Sequence, residues 1–339
     1  MGIDLPLIWF FIIGFGLIMY VIMDGFDLGI GILFPFVKDR HERDLMVNSV
    51  APVWDGNETW LVLGGVGFLA AFPKAYSIIL SALYLPLILM LSGLIWRGVA
   101  FEFRFKATEK HKPFWDKAFT GGSYVATFFQ GVSLGAFING FKLSTGPTGI
   151  FFSGNSLDWL TPFSIFTGLS LIIAYALLGS TWLVIKTEGN LQRQMLSLTK
   201  PILLLLVLAI VIVSVWTPFT HHYIAERWFN WPNTLYLLPF PLIAFVAAFF
   251  LWKKLTPNAH SGPFILSLVI LFSGYLGLAI SLWPNIIPPA VSIREVAAPN
   301  ASMGFALVGA LFIIPFILMY TAWAYYVFRG KINSNEGYH

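Results

Sequence analysis

Asp24, Asp27, Asp55, Glu58, Arg97 and Glu102 fall within or at the ends of the first three long apolar runs of a 339-residue chain. Ionisable groups are expensive in hydrocarbon, so each is read first as part of a functional site or of a paired structural network. Asp24 and Asp27 are three residues apart and share a face of a helix, and Asp55 and Glu58 repeat that spacing. Consecutive spans alternate in direction, so the end of the first, the start of the second and the end of the third lie on one side of the membrane. Five or six ionisable groups are therefore expected to converge in one half of the bilayer, on the cytoplasmic side. Neighbouring carboxylates in a poorly solvated site repel when both are ionised, so at least one tends to hold a proton, while Arg97 favours ionisation of whichever it contacts. That is the physics of a proton relay. An ion-pair network that only ties the first three helices together remains the alternative.

The histidines read differently. His41, His111, His221, His222, His260 and His339 all fall in connections or the tail, outside every expected span. A haem buried between helices usually takes inward-facing His, Met, Cys or Tyr ligands, so no haem is expected to be held by this chain. Cysteine is absent, which excludes disulfides and thiolate-held clusters. His221-His222 reads as a solvated pair and not as a metal site.

The elements that must position these groups follow from composition. Of the residues, 58% are apolar and 11% charged, against roughly 25% charged in an average soluble domain. Apolar runs of about 20 residues, each able to cross ~30 Å of hydrocarbon as a helix, recur near 5–34, 52–72, 76–100, 118–141, 159–185, 201–217, 233–252, 262–284 and 303–328. The expectation is an all-α polytopic membrane protein of nine spans, a single integral membrane domain over 1–339. Its first run opens on Met1-Gly-Ile-Asp4 without a basic segment, so it reads as a retained helix and not a cleaved leader.

Of the 20 Lys and Arg, the N-terminus and the alternate connections hold only Lys74, Lys142, Arg227 and Arg294, and Arg97 lies inside the third span. The others crowd into the remaining connections and the tail, which puts the N-terminus outside and the C-terminus in the cytoplasm. That distribution explains the net charge of +4 without a nucleic-acid partner. Trp159, Trp228, Trp231 and Trp283 suit an interfacial aromatic belt. Gly25-x-x-x-Gly29 and Gly131-x-x-x-Gly135 allow close helix approach.

Three blocks resemble subunit II of cytochrome bd-type quinol oxidases: Asp24-Gly-Phe-Asp-Leu-Gly-Ile-Gly31, Asn48-Ser-Val-Ala-Pro-Val-Trp-Asp-Gly-Asn-Glu-Thr-Trp-Leu61 and Arg97-Gly-Val-Ala-Phe-Glu-Phe-Arg104. The resemblance continues through Trp115-Asp116, Gln130-Gly131, Pro284-Asn-Ile-Ile-Pro-Pro289 and Tyr320-Thr-Ala-Trp323 with Gly330-Lys331. It implies two four-helix bundles plus a peripheral helix, paired with a haem-bearing subunit I in the bacterial inner membrane. It also implies a complex that oxidises quinol and reduces O2 to water with cytoplasmic proton uptake, an electrogenic reaction whose b- and d-type haems belong to subunit I. A small single-helix accessory subunit and a bound quinone or lipid are compatible with it. An acidic residue matching Asp55 is associated with a proton path toward the oxygen-reducing haem. Asp24, Asp27 and Glu58 are expected to share that path, with Arg97, Glu102, Trp54 and Asn57 as structural or charge partners. The sequence departs from the pattern at Glu58, where some members carry glutamine, and at Arg97-Gly98, where others have Arg-Pro. Two rivals are a proton-coupled transporter, which would need broken helices in both halves, and a purely structural membrane subunit.

Overall fold

A computed structural model describes residues 3–147 and 149–332. His339 lies outside them. Among the described residues there are twelve α-helices: α1 Leu5–Leu33, α2 Arg40–Asn48, α3 Trp54–Ala71, α4 Pro73–Lys106, α5 Lys112–Asn139, α6 Pro162–Lys186, α7 Gly189–Thr220, α8 His222–Phe229, α9 Asn233–Leu237, α10 Pro239–Lys254, α11 Gly262–Leu282 and α12 Asn300–Val327. Two small antiparallel hairpins, β1 Leu143–Gly146 with β2 Gly149–Phe152 and β3 Asn285–Ile287 with β4 Val291–Ser292, close connections at the end opposite the basic loops.

Local chemistry sets the helix starts. Asp4 caps α1 by accepting from the Leu7 amide at 3.3 Å. Thr161 and Ser164 form a reciprocal capping box ahead of α6, with Pro162 in its first turn, where the missing N–H costs nothing.

Seven helical stretches are long and apolar enough to cross a membrane: Leu5–Phe36, Pro73–Lys106, Pro162–Lys186, Gly189–Thr220, Asn233–Lys254, Gly262–Leu282 and Asn300–Val327. The second and fourth expected spans are also helices, α3 and α5, but they fall short in apolar character. The opening turns of α3 carry Asp55, Asn57 and Glu58, and α5 starts with Lys112, Asp116 and Lys117. Five boundaries differ from the sequence expectation. The third helix runs on to Lys106, and the fourth begins at Lys112 instead of near 118. The sixth begins at Gly189 and passes through Pro201. The seventh is broken between Leu237 and Pro239. The stretch before Pro52 forms a separate helix, α2.

α1 packs on α3 and α5, α3 on α4, and α4 on α5, while α6, α7, α10 and α11 contact one another in a second closed ring. α6 bridges the two through α1 and α5, and α12 touches α1 and α3 at the edge. The bridge depends on glycine. A Cβ on Gly29 would stand 1.9 Å from the Tyr175 carbonyl oxygen, and one on Gly131 would stand 2.7 Å from the Gly168 Cα. Both expected small-residue motifs therefore seat against α6.

Candidate functional site

Where α1, α3 and α4 meet, Arg97 is the hub. Its Nη2 lies 2.7 Å from Asp24 Oδ1 and 3.7 Å from Asp27 Oδ2, and its Nη1 donates to Glu58. The Trp54 ring centre stands 5.6 Å from its guanidinium carbon, close enough for cation–π attraction. Asp24, Asp27 and Arg97 are essentially sealed, at 0%, 1% and 1% exposure, whereas the Glu58 side chain retains 28%. The sequence dictates this locally: Asp24 and Asp27 project from one face of α1, and α4 brings Arg97 opposite them.

Asn57 secures the second carboxylate. Its Nδ2 donates to Asp27 Oδ2 at 2.8 Å and to the Met23 carbonyl at 3.3 Å, and its Oδ1 accepts from the Tyr325 hydroxyl at 2.9 Å. Tyr325 comes from α12, 268 residues along the chain, and sequence spacing carries no signal for such a pair. The resembling residues Tyr320 to Trp323 and Gly330-Lys331 flank it without including it. Three polar atoms in this region, Asp24 Oδ2, Asp27 Oδ1 and the Tyr20 hydroxyl, are buried and make no hydrogen bond of ordinary length, although the Tyr20 side chain lies against Asp24. Buried polar atoms rarely stay unpaired.

Of the five or six ionisable groups expected to converge, four form one sealed cluster. Asp24, Asp27, Glu58 and Arg97 come together, with Trp54 and Asn57 as their immediate partners. Asp55 and Glu102 stay outside the sealed cluster: both are exposed and make no ion pair among the described residues, although the Asp55 charge acts on Glu58 one turn away. Asp55 sits in the first turn of α3, one turn before Glu58, on the outer side of the helix. The cost of charge in hydrocarbon holds only against lipid, and a surface covered by another subunit escapes it.

A second charged network lies nearer the basic loops. Arg104 pairs with Asp116 at 2.6 Å and Asp44 at 2.7 Å, and Arg43 reaches Asp116 at 3.1 Å. Both guanidinium groups stand over the Phe34 ring, at 5.4 and 5.2 Å. This clasp fastens α2, α4 and α5 together. Sequence reasoning quoted Arg104 and Asp116 but gave them no role, because each lies at a helix end where charge is ordinary. Outside the spans, Arg294 lies 2.5 Å from Asp4 and holds its carboxyl below the usual range.

No described histidine lies in the seven apolar helices. His221, between α7 and α8, meets Asn139 Oδ1 at 3.2 Å, and burial lowers its pKa from the ordinary 6.5. Among the described residues no group of three or more His, Asp or Glu could hold a metal.

Fold and site together define a multi-pass helical membrane protein with a sealed carboxylate–arginine cluster in its first helices. The family model for cytochrome bd terminal oxidase subunit II matches residues 5–328, and the chain belongs to that family. Cytochrome bd-I ubiquinol oxidase subunit 2 of Escherichia coli K12 is 26% identical over 98% of this chain and 96% of its own. Cytochrome bd ubiquinol oxidase subunit 2 of Bacillus subtilis 168 is 27% identical over 97% of each. The bd oxidase structure from Geobacillus thermodenitrificans has the same fold, with a TM-score of 0.75 at 18% identity, covering 94% of this chain and 97% of that one. Family membership makes the chain one subunit of a haem-containing oxidoreductase complex, with a subunit I as its partner, and it sets the transporter rival aside.

Proposed function

We propose that this chain is the haem-free subunit II of a bd-type complex that oxidises quinol and reduces O2 to water, and that it supports the haem-bearing subunit I while holding protons drawn from the cytoplasm. One observation carries the reading: three carboxyl groups surround a single buried guanidinium. Fully ionised, that cluster would leave excess negative charge in a medium that screens poorly, so protons must be held there. The unpartnered oxygens of Asp24 and Asp27 are where water would meet those protons. Asp55, exposed one turn from Glu58, has the position for passing a proton across the subunit boundary. Arg97, Trp54 and Asn57 fix the carboxylates, and Glu102 faces outward at the same end.

In this reading α3 and α5 cross the membrane alongside the seven apolar helices. The two packed rings are then the two four-helix bundles, with α12 peripheral, and the whole chain is a single membrane domain. The basic loops face the cytoplasm and the N-terminus lies outside the bacterial inner membrane. The exposed apolar faces of α10 and α12 leave room for lipid, a quinone tail or a single-helix accessory subunit. The scaffold reading keeps one supporting fact, that Asn57 and Tyr325 tie Asp27 into a hydrogen-bonded frame.

Affinity purification of the tagged chain from its native membrane should bring down a partner with b- and d-type haem bands. The chain produced alone should give no stoichiometric haem in a pyridine-haemochrome assay. One haem per isolated chain, lost on substituting a residue of this chain, overturns the haem-free assignment.

A further inference from the structure

At the end of the molecule where α6 and α12 stop, a pocket of about 260 Å³ opens beside Trp182. Three cations line it, Lys186, Arg329 and Lys331, and no carboxylate does. Lys186 is the unusual one. It is 8% exposed, yet among the described residues it has no acidic partner. Its ammonium donates to the Phe328 carbonyl at 2.5 Å and lies 5.1 Å from the Trp182 ring centre. Neither contact supplies a counter-charge, and a buried charge without one is strongly disfavoured.

The two companions have donors to spare. Arg329 uses Nη1 on the Tyr326 carbonyl at 3.2 Å, one of the five N–H groups of a guanidinium. Lys331 donates to the Thr187 carbonyl at 3.1 Å and meets the mostly exposed Glu188 at 3.4 Å. The cradle is built into the fold and is not a loose tail. Gly330 takes a φ of +103° that turns the chain after α12, and the Ile332 amide donates to the Lys186 carbonyl at 2.9 Å. Together these pin the turn across the end of α6. Asn48 Oδ1, also in the pocket wall, is buried without a partner.

We propose that this pocket binds a phosphate-bearing anion, the headgroup phosphate of an acidic phospholipid or free phosphate, with Lys186 as the buried counter-charge and Arg329 and Lys331 closing on the remaining oxygens. Guanidinium and ammonium groups match phosphate oxygens in charge and geometry. A basic pocket between helix ends at the membrane surface is where acidic headgroups are recognised. The same charges argue against the pocket as a proton intake: although Tyr325 lines it and bonds Asn57, the three cations that line it repel hydronium. The proposal rests on the membrane reading of the chain and is independent of any proton role for the carboxylate cluster.

The test uses the assembled complex, wild type and Arg329→Gln/Lys331→Gln, with Lys186→Gln as a third form where it assembles. After detergent exchange each is placed in nanodiscs of phosphatidylcholine with or without phosphatidylglycerol. Retained phospholipid is counted by native mass spectrometry, and the unfolding midpoint is followed in detergent with and without inorganic phosphate. The wild type should keep one more phosphatidylglycerol than the double variant, which should bind it at least tenfold more weakly; this outcome identifies the lipid as the source. A rise in the wild-type midpoint with inorganic phosphate alone, absent from the double variant, identifies free phosphate. Identical lipid retention and phosphate response in wild type and double variant overturn the proposal.

Discussion

Replacing Arg97 with methionine keeps much of the side chain's bulk while removing the one positive charge that Asp24, Asp27 and Glu58 share. At 1% exposure water cannot take over its role, and the stacking on Trp54 is lost as well. Taking one partner from a buried charge network costs ~3–5 kcal/mol, which in a chain of this size corresponds to a fall in unfolding midpoint on the order of 10 °C. Arg97→Lys should fall between, since an ammonium keeps the charge but cannot span Asp24 and Glu58 as a fork does. The midpoint of the purified complex, followed by haem absorbance, is the assay. Coupling is the sharper readout: Arg97→Met combined with Asp24→Asn should recover ~0.5–3 kcal/mol relative to additivity, because the second change removes the charge that the first strands. The exposed Asp55 should show almost no coupling to Arg97. An Arg97→Met complex with an unshifted midpoint, or equal coupling to Asp24 and Asp55, refutes the hub geometry.

Other outcomes follow from the packing. Gly29→Ala should sharply reduce the haem-containing complex recovered, because its Cβ would meet the Tyr175 carbonyl at 1.9 Å, while Gly65→Ala, with nothing within 4 Å, should leave the yield unchanged. His221 prefers its neutral form in the folded state because burial lowers its pKa. The unfolded chain therefore takes up the proton first as pH drops below 6.5, and the ring's contribution is present above that value and lost below it. The midpoint should accordingly fall more between pH 7.5 and 5.5 in the wild type than in His221→Gln. Thr220→Cys, at the end of α7, should react with an impermeant maleimide added from outside intact cells, and labelling only from the cytoplasmic side would reverse the orientation. The absence of native cysteine makes that readout clean.

Much of the architecture was legible because it rests on composition. Apolar runs of membrane length announced the long helices, and the glycine spacings announced which faces meet α6. What failed has identifiable physical causes. Pro201 reads as a helix start, yet α7 runs from Gly189 through it, since the polar segment before the proline packs on its neighbours as helix. Asp24, Asp27, Glu58 and Arg97 were found because charge in an apolar run must be paired. The same rule does not anticipate that Asp55 and Glu102 lie on the outer surface, because it assumes that whatever surrounds the chain is lipid. Asn57 was recognised as a partner, but its bond to Tyr325 was not legible. Nothing in local spacing connects α3 to the last helix.

The central claim is that the sealed cluster holds protons and does not merely brace the helices. Asp27→Asn tests it most directly, because the amide keeps size and hydrogen-bonding reach while removing the ionisable site. The measurement is proton uptake coupled to quinol oxidation by the assembled complex in vesicles, alongside haem content, with Asp55→Asn in parallel. The account predicts full haem content in both variants with slowed turnover and slowed uptake, the deficit deepening as pH rises and protons become scarce. Normal turnover and uptake at full haem content across the pH range would contradict it, and loss of haem or assembly would assign the cluster to scaffolding instead.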